Sequence, residues 1–185
     1  MGWADTWEDL QTETGAITSI QTDFVQTKHL PILARPLVSQ GKLAFQTPGS
    51  LRWEYTAPIH SILVMHKGKI RRLTLDTRTH EFREESGAGL DVMQMVVAEI
   101  SQWMTGRFED NAMFSVELAP SRKILLTPKG GIADILNRVE LWLGDEPGQI
   151  RRVRIVEGEN AFTDLAFSNT TINSEISDDV FVKVP

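Results

Sequence analysis

The sequence predicts a mainly β fold: an antiparallel sheet that carries one helix within its strand order and another at the N-terminus. Roughly ten short segments alternate apolar and polar residues, and tight turns join them. Strands and helices do not follow each other in the βαβ order that a parallel sheet requires. These two observations fit an antiparallel meander, a sandwich or a barrel.

Length and composition indicate one globular domain over residues 1–185. A net charge of −6 argues against a general nucleic-acid binder, which needs a basic face to displace counterions. The chain has no cysteine, so disulfides and thiolate sites are excluded. No apolar run reaches the roughly 20 residues that span a bilayer. Polar sequence follows the first residues directly, as expected for a mature chain without a secretory signal.

The first element is predicted to be a helix. Asp5 is the expected N-cap, and Glu8 and Asp9 follow in the first turn, where the helix dipole favours negative charge. Gly15 is expected to end or bend it. One apolar face at helical spacing would consist of Trp3, Trp7, Leu10 and Ile17.

Strand periodicity begins near Phe24. The clearest alternation places Leu51, Trp53 and Tyr55 on one face of a strand and Arg52 and Glu54 on the other. In the first half of the chain the predicted strands are 24–30, 42–46, 50–55, 61–65, 70–75 and 81–83. In the second half they are 113–118, 123–127, 138–143, 149–156, 161–167 and a last strand over 180–184.

A helix over 91–105 is predicted to interrupt the strands. Asp91 suits its N-terminus and Gly106 its end. Its methionines would let the apolar face adapt to a changing neighbour. That face consists of Val92, Met93, Val96, Val97, Ile100, Trp103 and Met104.

Residue patterns that carry catalysis are missing from the sequence. There is no Gly-x-Ser-x-Gly elbow, no glycine-rich phosphate loop and no His-Glu-x-x-His motif. The four histidines are dispersed, and the acidic pairs fall at expected turns. We therefore predict neither an enzyme, nor a cofactor, nor a metal site. The aromatic residues could form an ordinary core, which composition favours, or the wall of a cavity between the curved sheet and the adaptable helix.

An ordered series of short motifs resembles the LolA family of periplasmic lipoprotein carriers. The series covers nearly the whole chain, although no single motif is diagnostic. Its members are the runs 24–27 (FVQT), 41–45 (GKLAF), 47–55 (TPGSLRWEY), Pro58, 62–64 (ILV), Gly68, 125–129 (LLTPK), 167–169 (FSN), Asn173 and 181–185 (FVKVP).

This resemblance implies an incompletely closed antiparallel β-barrel with a helical lid over an apolar cavity. It also implies a periplasmic monomer that takes lipoprotein acyl chains from an inner-membrane ABC transporter and delivers them to an outer-membrane receptor. By resemblance the cavity wall includes Leu51, Trp53, Tyr55 and Leu63. Strand alternation adds Leu43 and Phe45, and helical phase adds Val96, Val97, Ile100, Trp103 and Met104 on the lid.

One position departs from the family pattern. Well-studied members have an arginine directly before the proline numbered Pro48 here, where it bonds to the lid; this chain has Thr47. A LolA-like paralogue that carries another lipid or amphiphile is therefore the main alternative. A lipid-anchored receptor of similar fold would need an N-terminal cysteine, and a lipid hydrolase would need a nucleophile–base pair.

Overall fold

The computed structural model describes residues 6–85, 99, 102–103, 108 and 111–183. Eleven strands are described: β1 (Ser19–His29), β2 (Leu37–Gln46), β3 (Ser50–Ala57), β4 (Ser61–His66), β5 (Lys69–Asp76), β6 (Glu81–Glu84), β7 (Phe114–Ala119), β8 (Lys123–Pro128), β9 (Arg138–Leu143), β10 (Ile150–Gly158) and β11 (Ala161–Ile172). Two helices, α1 (Trp7–Thr14) and α2 (Asp179–Val182), and a 3₁₀ helix (Gly130–Asp134) complete the described elements.

All eleven strands form one antiparallel sheet in the order β6-β5-β4-β3-β2-β1-β11-β10-β9-β8-β7. Neighbours in the sheet are neighbours in the chain, except that β1 pairs with β11 and so joins the two halves. The edge strands β6 and β7 do not pair, and the sheet is therefore open. This confirms the predicted incompletely closed antiparallel barrel, in which few helices accompany a large sheet.

The strand predictions are confirmed in place and type, with errors at the ends. β1 begins at Ser19, five residues before the predicted start at Phe24. The register of β1 against β11 shifts between Gln21 and Asp23. The additional residue of this bulge lies on β11, and β1 itself keeps a regular register against β2. The first part of β1 was not predicted because the polar residues Gln21, Thr22 and Asp23 give no apolar alternation there.

The N-terminal helix is confirmed, but its cap differs from the prediction. Thr6 is the N-cap, and its hydroxyl accepts a hydrogen bond from the backbone N–H of Asp9. The predicted cap, Asp5, and the predicted face residue Trp3 lie outside the described residues. The helix ends at Thr14 with Gly15 as its C-cap, as predicted.

The predicted last strand over 180–184 is wrong for its described part, because residues Asp179–Val182 form the short helix α2. β11 is paired with β1 on one side and with β10 on the other, so the segment that follows it cannot add a strand beside β11. Phe181 instead packs on an apolar patch of the outer face, where its ring stacks on His66 with the centroids 5.8 Å apart. Tertiary packing here overrides the β propensity of valine and phenylalanine. The patch consists of Ala44, Ile62, Val64, Leu73 and Ile176.

The outer face of β8–β11 carries several ion pairs. The carboxylate of Asp164 on β11 forms ion pairs with Arg152 and Arg154 of β10. The distances from Nη2 to the carboxylate oxygens are 3.0 Å for Arg152 and 2.8 Å for Arg154. Burial raises the pKa of Asp164, but hydrogen bonds from Arg154 and Arg152 outweigh it and hold this pKa below its ordinary value. The folded state therefore favours the carboxylate form.

We expect this carboxylate to make stability depend on pH in the acid range. A folded-state pKa below the unfolded value of about 3.9 gives stability that is present above that value and is lost as pH falls through the folded pKa. Asp164→Asn should therefore lower the urea midpoint at pH 7 and lose less stability than the wild type between about pH 5 and pH 2. Asp134→Asn, which removes an exposed carboxylate, controls for the change in net charge. Equal acid slopes for Asp164→Asn and the wild type would contradict this assignment.

Candidate functional site

The inner face of the sheet, defined by the side chains on the side of Trp53, is one apolar cluster. It contains residues of β3 at one side of the sheet and of β7 at the other, so the sheet bends around it. The predicted wall residues Leu43, Phe45, Leu51 and Trp53 all belong to it and are buried. Tyr55 and Leu63 are partly buried and pack against the same cluster.

Four aromatic side chains form the centre of this cluster, and we call them the aromatic group: Phe24, Trp53, Tyr55 and Phe167. The ring centroids of Phe24 and Trp53 are 4.4 Å apart. The ring of Tyr55 meets that of Phe24 edge-on, with the centroids 5.3 Å apart. Phe167 lies 6.3 Å from Trp53 in a T-shaped arrangement. β1, β3 and β11 thus contribute rings to one place, although β3 lies far from β11 in the chain.

Polar groups stand at the end of the inner face near the β1–β2 connection. The hydroxyl of Tyr55 donates to Oε1 of Gln26 at 2.7 Å. Further along β1, the ammonium of Lys28 lies 3.1 Å from a carboxylate oxygen of Glu157. The hydroxyl of Thr163 donates to the other oxygen of Glu157. The inner face therefore has an apolar floor and a polar rim.

Two buried indole nitrogens on the inner face find no hydrogen-bond acceptor in the described part of the chain. Within the described residues no acceptor lies within reach of Nε1 of Trp53 or Nε1 of Trp103. Both side chains are 1% exposed, so bulk solvent does not reach them. A buried donor left unpaired costs about 1–3 kcal/mol. A molecule with a carbonyl oxygen that entered the inner face would remove this cost.

The predicted lid helix is described at three positions only. Glu99, Gln102 and Trp103 are helical, in agreement with the helix predicted over 91–105. Trp103 belongs to the inner-face cluster, and its ring lies 6.2 Å from that of Phe114 on β7. The other predicted lid residues, Val96, Val97, Ile100 and Met104, lie outside the described residues.

Thr47, which follows β2, contacts the residue that precedes β1. The backbone N–H of Thr47 donates to the carbonyl oxygen of Thr18 at 2.9 Å, and its hydroxyl reaches the same oxygen at 3.3 Å. Thr47 thus fastens the β2–β3 turn to the segment that follows α1.

Arg52 and Glu54 lie on the outer face, as their alternation with Trp53 predicts. Nε of Arg52 binds Glu54 at 2.7 Å, and Nη1 donates to the carbonyl oxygens of Val180 and Lys183. His60 contacts the second oxygen of Glu54 at 2.6 Å. Burial raises the pKa of Glu54, but hydrogen bonds from Arg52 and His60 outweigh it, so this pKa lies below its ordinary value. The C-terminal helix is therefore held to β3 by a buried cation.

Two members of the aromatic group were not among the predicted site residues. Phe24 and Phe167 stand in the motifs FVQT and FSN, which contributed only to the family resemblance. Phe24 pairs with Phe167 across the β1–β11 ladder, and this pairing brings the two ends of the chain together. Alternation shows which side of a strand a residue takes, but it does not show which strands are neighbours.

Neither metal-binding clusters nor membrane-spanning helices occur in the part of the chain that the structure describes. No three histidine or acidic side chains there could hold a metal ion together. Likewise, no described helix is long and apolar enough to cross a membrane.

Comparison with known proteins finds one family and several solved structures. The family model described as "Outer membrane lipoprotein carrier protein LolA" matches residues 15–183. A DUF1329 family protein from Desulfovibrio piger is 12% identical, with a TM-score of 0.52 and coverage of 98% of both chains. An uncharacterized conserved protein from Thermus thermophilus is 10% identical, with a TM-score of 0.52 and coverage of 95% of this chain and 90% of that one.

A third structure is that of the Pseudomonas aeruginosa MucA/MucB complex. The matched chain is 13% identical with a TM-score of 0.53, and the match covers 95% of this chain and 59% of that one. At these identities the solved structures support the fold alone. No curated protein sequence matches the chain.

Proposed function

The chain belongs to the LolA family of outer membrane lipoprotein carrier proteins, and we propose that it carries lipoprotein acyl chains across the periplasm on the inner face of its sheet. The family is one of carriers, and the apolar residues of the inner face suit a carrier of acyl chains. In this proposal Leu43, Phe45, Leu51, Trp53, Tyr55 and Leu63 contact the acyl chains, with Val96, Val97, Ile100, Trp103 and Met104 on the lid.

The observation that carries the proposal is a pair of buried indole donors in an apolar cluster for which residues 6–85, 99, 102–103, 108 and 111–183 supply no acceptor. An ordinary core pairs its buried donors, because each unpaired one costs stability. Acyl esters and amides combine long apolar chains with carbonyl acceptors. Burying one methylene is worth about 0.8 kcal/mol, so an acyl chain gains strongly from the apolar floor. An ester carbonyl beside Trp53 would also satisfy the indole.

An inner-membrane ABC transporter and an outer-membrane receptor are the partners we propose, on the basis of family membership. A second candidate function is transport of a different lipid or amphiphile by a LolA-like paralogue. Thr47 favours this alternative, since its bonds to Thr18 replace the lid-binding arginine of well-studied members. Without that arginine the closed state would depend on other contacts.

The test is the binding of a fluorescent long-chain acyl ester by purified protein. Trp53→Glu should weaken binding at least about ten-fold, because it places a charge in the apolar floor. Trp53→Phe keeps an aromatic side chain but removes the indole N–H together with part of the apolar area. It should therefore weaken binding of the ester more than binding of an alkyl probe without a carbonyl, by a further factor of about three to ten, the worth of one hydrogen bond.

Trp142→Phe is the matched control, since Trp142 lies on the outer face between Lys123 and Arg152. It should leave probe binding unchanged. Wild-type affinity in Trp53→Glu would refute binding on the inner face. Native mass spectrometry of protein purified from its own organism separates the two candidates. A co-purified acylated lipoprotein supports the first, and a different lipid supports the second.

A further inference from the structure

The β1–β2 hairpin ends in an exposed apolar tip, which we define as residues 30–38. The ladder between these strands ends at the pair of Lys28 and Leu37, so most of the tip lies beyond the last paired residues. Nine large apolar side chains are exposed in the described part of the chain, and four of them belong to this tip. They are Ile32 (89% exposed), Val38 (56%), Leu37 (53%) and Leu33 (40%).

The exposed side chains of the tip do not share one face. Leu37 and Val38 are consecutive residues of β2, so they point to opposite sides of the sheet, and both are exposed. A folded protein partner would cover one side of such a hairpin. A lipid phase surrounds an inserted tip on all sides, and it is the partner that this arrangement fits.

The charge around the tip also suits a membrane surface. The tip contains one basic residue, Arg35, and no acidic residue, in a chain whose net charge is −6. Arg35, at the tip itself, is exposed and forms no ion pair with any described residue. A basic group beside apolar side chains is attracted to anionic phospholipid headgroups.

The backbone of the tip is poor in free donors. Pro31 and Pro36 have no N–H, and the N–H of Leu33 donates to the carbonyl oxygen of Leu30 at 3.0 Å. Unpaired backbone donors make it costly to move a loop out of water, so this composition lowers the cost of entering the interface.

We propose that the β1–β2 tip docks into the headgroup region of bilayers that contain anionic phospholipids. Leu37 stands on the same face of β2 as Leu43, six residues further along, so docking would bring the inner face close to the lipid. Docking does not depend on the identity of the cargo, and it can be tested without an acyl probe.

The first experiment is flotation of the full chain with vesicles of phosphatidylethanolamine and phosphatidylglycerol at low salt. Ile32→Asp should reduce the vesicle-bound fraction at least about ten-fold, because it puts a charge at the deepest point of insertion. Arg35→Glu should reduce binding to these vesicles and leave the weaker binding to pure phosphatidylcholine unchanged. Ile70→Asp is the control, since Ile70 is 58% exposed on β5 and lies outside the tip.

A second experiment locates the inserted residue. The chain has no cysteine, so Ile32→Cys and Ile70→Cys can each be labelled at one position with an environment-sensitive dye. Vesicles should shift the emission of the dye at position 32 to the blue and leave that at position 70 unchanged. Failure of the wild type to float, equal flotation of Ile32→Asp, or equal dye shifts at both positions would overturn the proposal. Unchanged acyl-probe binding by Ile32→Asp would show that only docking was affected.

Discussion

Gly41→Ala is expected to lower the free energy of unfolding by about 3 kcal/mol, at the upper end of the cost of overpacking. A Cβ at position 41 would lie 1.9 Å from the carbonyl oxygen of Glu54 and 2.6 Å from Cζ of Phe24. The first contact is with backbone, so a side-chain rotation cannot relieve it. For a chain of this size the loss corresponds to a Tm about 6–12 °C lower, measurable by calorimetry.

Gly41→Ala should also disturb the inner face, because the added Cβ would meet the ring of Phe24. The Phe24 ring lies over Gly41 and packs against Trp53 and Tyr55, so displacing it would open the aromatic group. Gly49→Ala is the matched control, since a Cβ there meets nothing within 4 Å. It should change stability by less than about 1 kcal/mol and leave probe binding intact. A Gly41→Ala variant as stable as Gly49→Ala would show that the strands separate without cost.

Arg52→Met is expected to release α2 from the sheet and to cost about 2–4 kcal/mol. The change removes the donor to two carbonyl oxygens of the C-terminal segment and leaves the carboxylate of Glu54 with His60 alone. Removing one partner of a buried charge pair is costly because the other charge stays buried. The backbone N–H groups of Phe181 and Lys183 donate to the carbonyl oxygens of Asp178 and Asp179. In the variant these two amides should exchange faster than in the wild type, under conditions in which the amides of the sheet remain protected.

Arg71→Met provides the comparison for loss of an arginine. Arg71 pairs with Glu84 at 3.0 Å, but both side chains are largely exposed. Water and salt screen an exposed pair of this kind, so this variant should unfold close to the wild type and keep α2 protected. Equal protection of Phe181 in both variants would mean that its packing on His66, and not Arg52, holds the helix.

Most of the fold could be predicted because alternation is a local property. Leu51, Trp53 and Tyr55 take one side of β3 and Arg52 and Glu54 the other, as the sequence indicates. The errors lie where local patterns and tertiary context disagree. The polar run of Gln21, Thr22 and Asp23 concealed the start of β1. Packing of Phe181 on the patch around Ile62 and Val64 favours a helix where the C-terminal residues have strand propensity.

For the aromatic group, the sequence by itself determined which side chains of each strand would be apolar and share a side. It also determined, through the ordered motifs, the family to which the chain belongs. Only the tertiary structure decided that Phe24 and Phe167 join Trp53 and that the indole of Trp53 has no acceptor among the described residues. The physical reason is that the pairing of β1 with β11 joins Phe24 to Phe167, which are 143 positions apart, and no local pattern encodes such a contact.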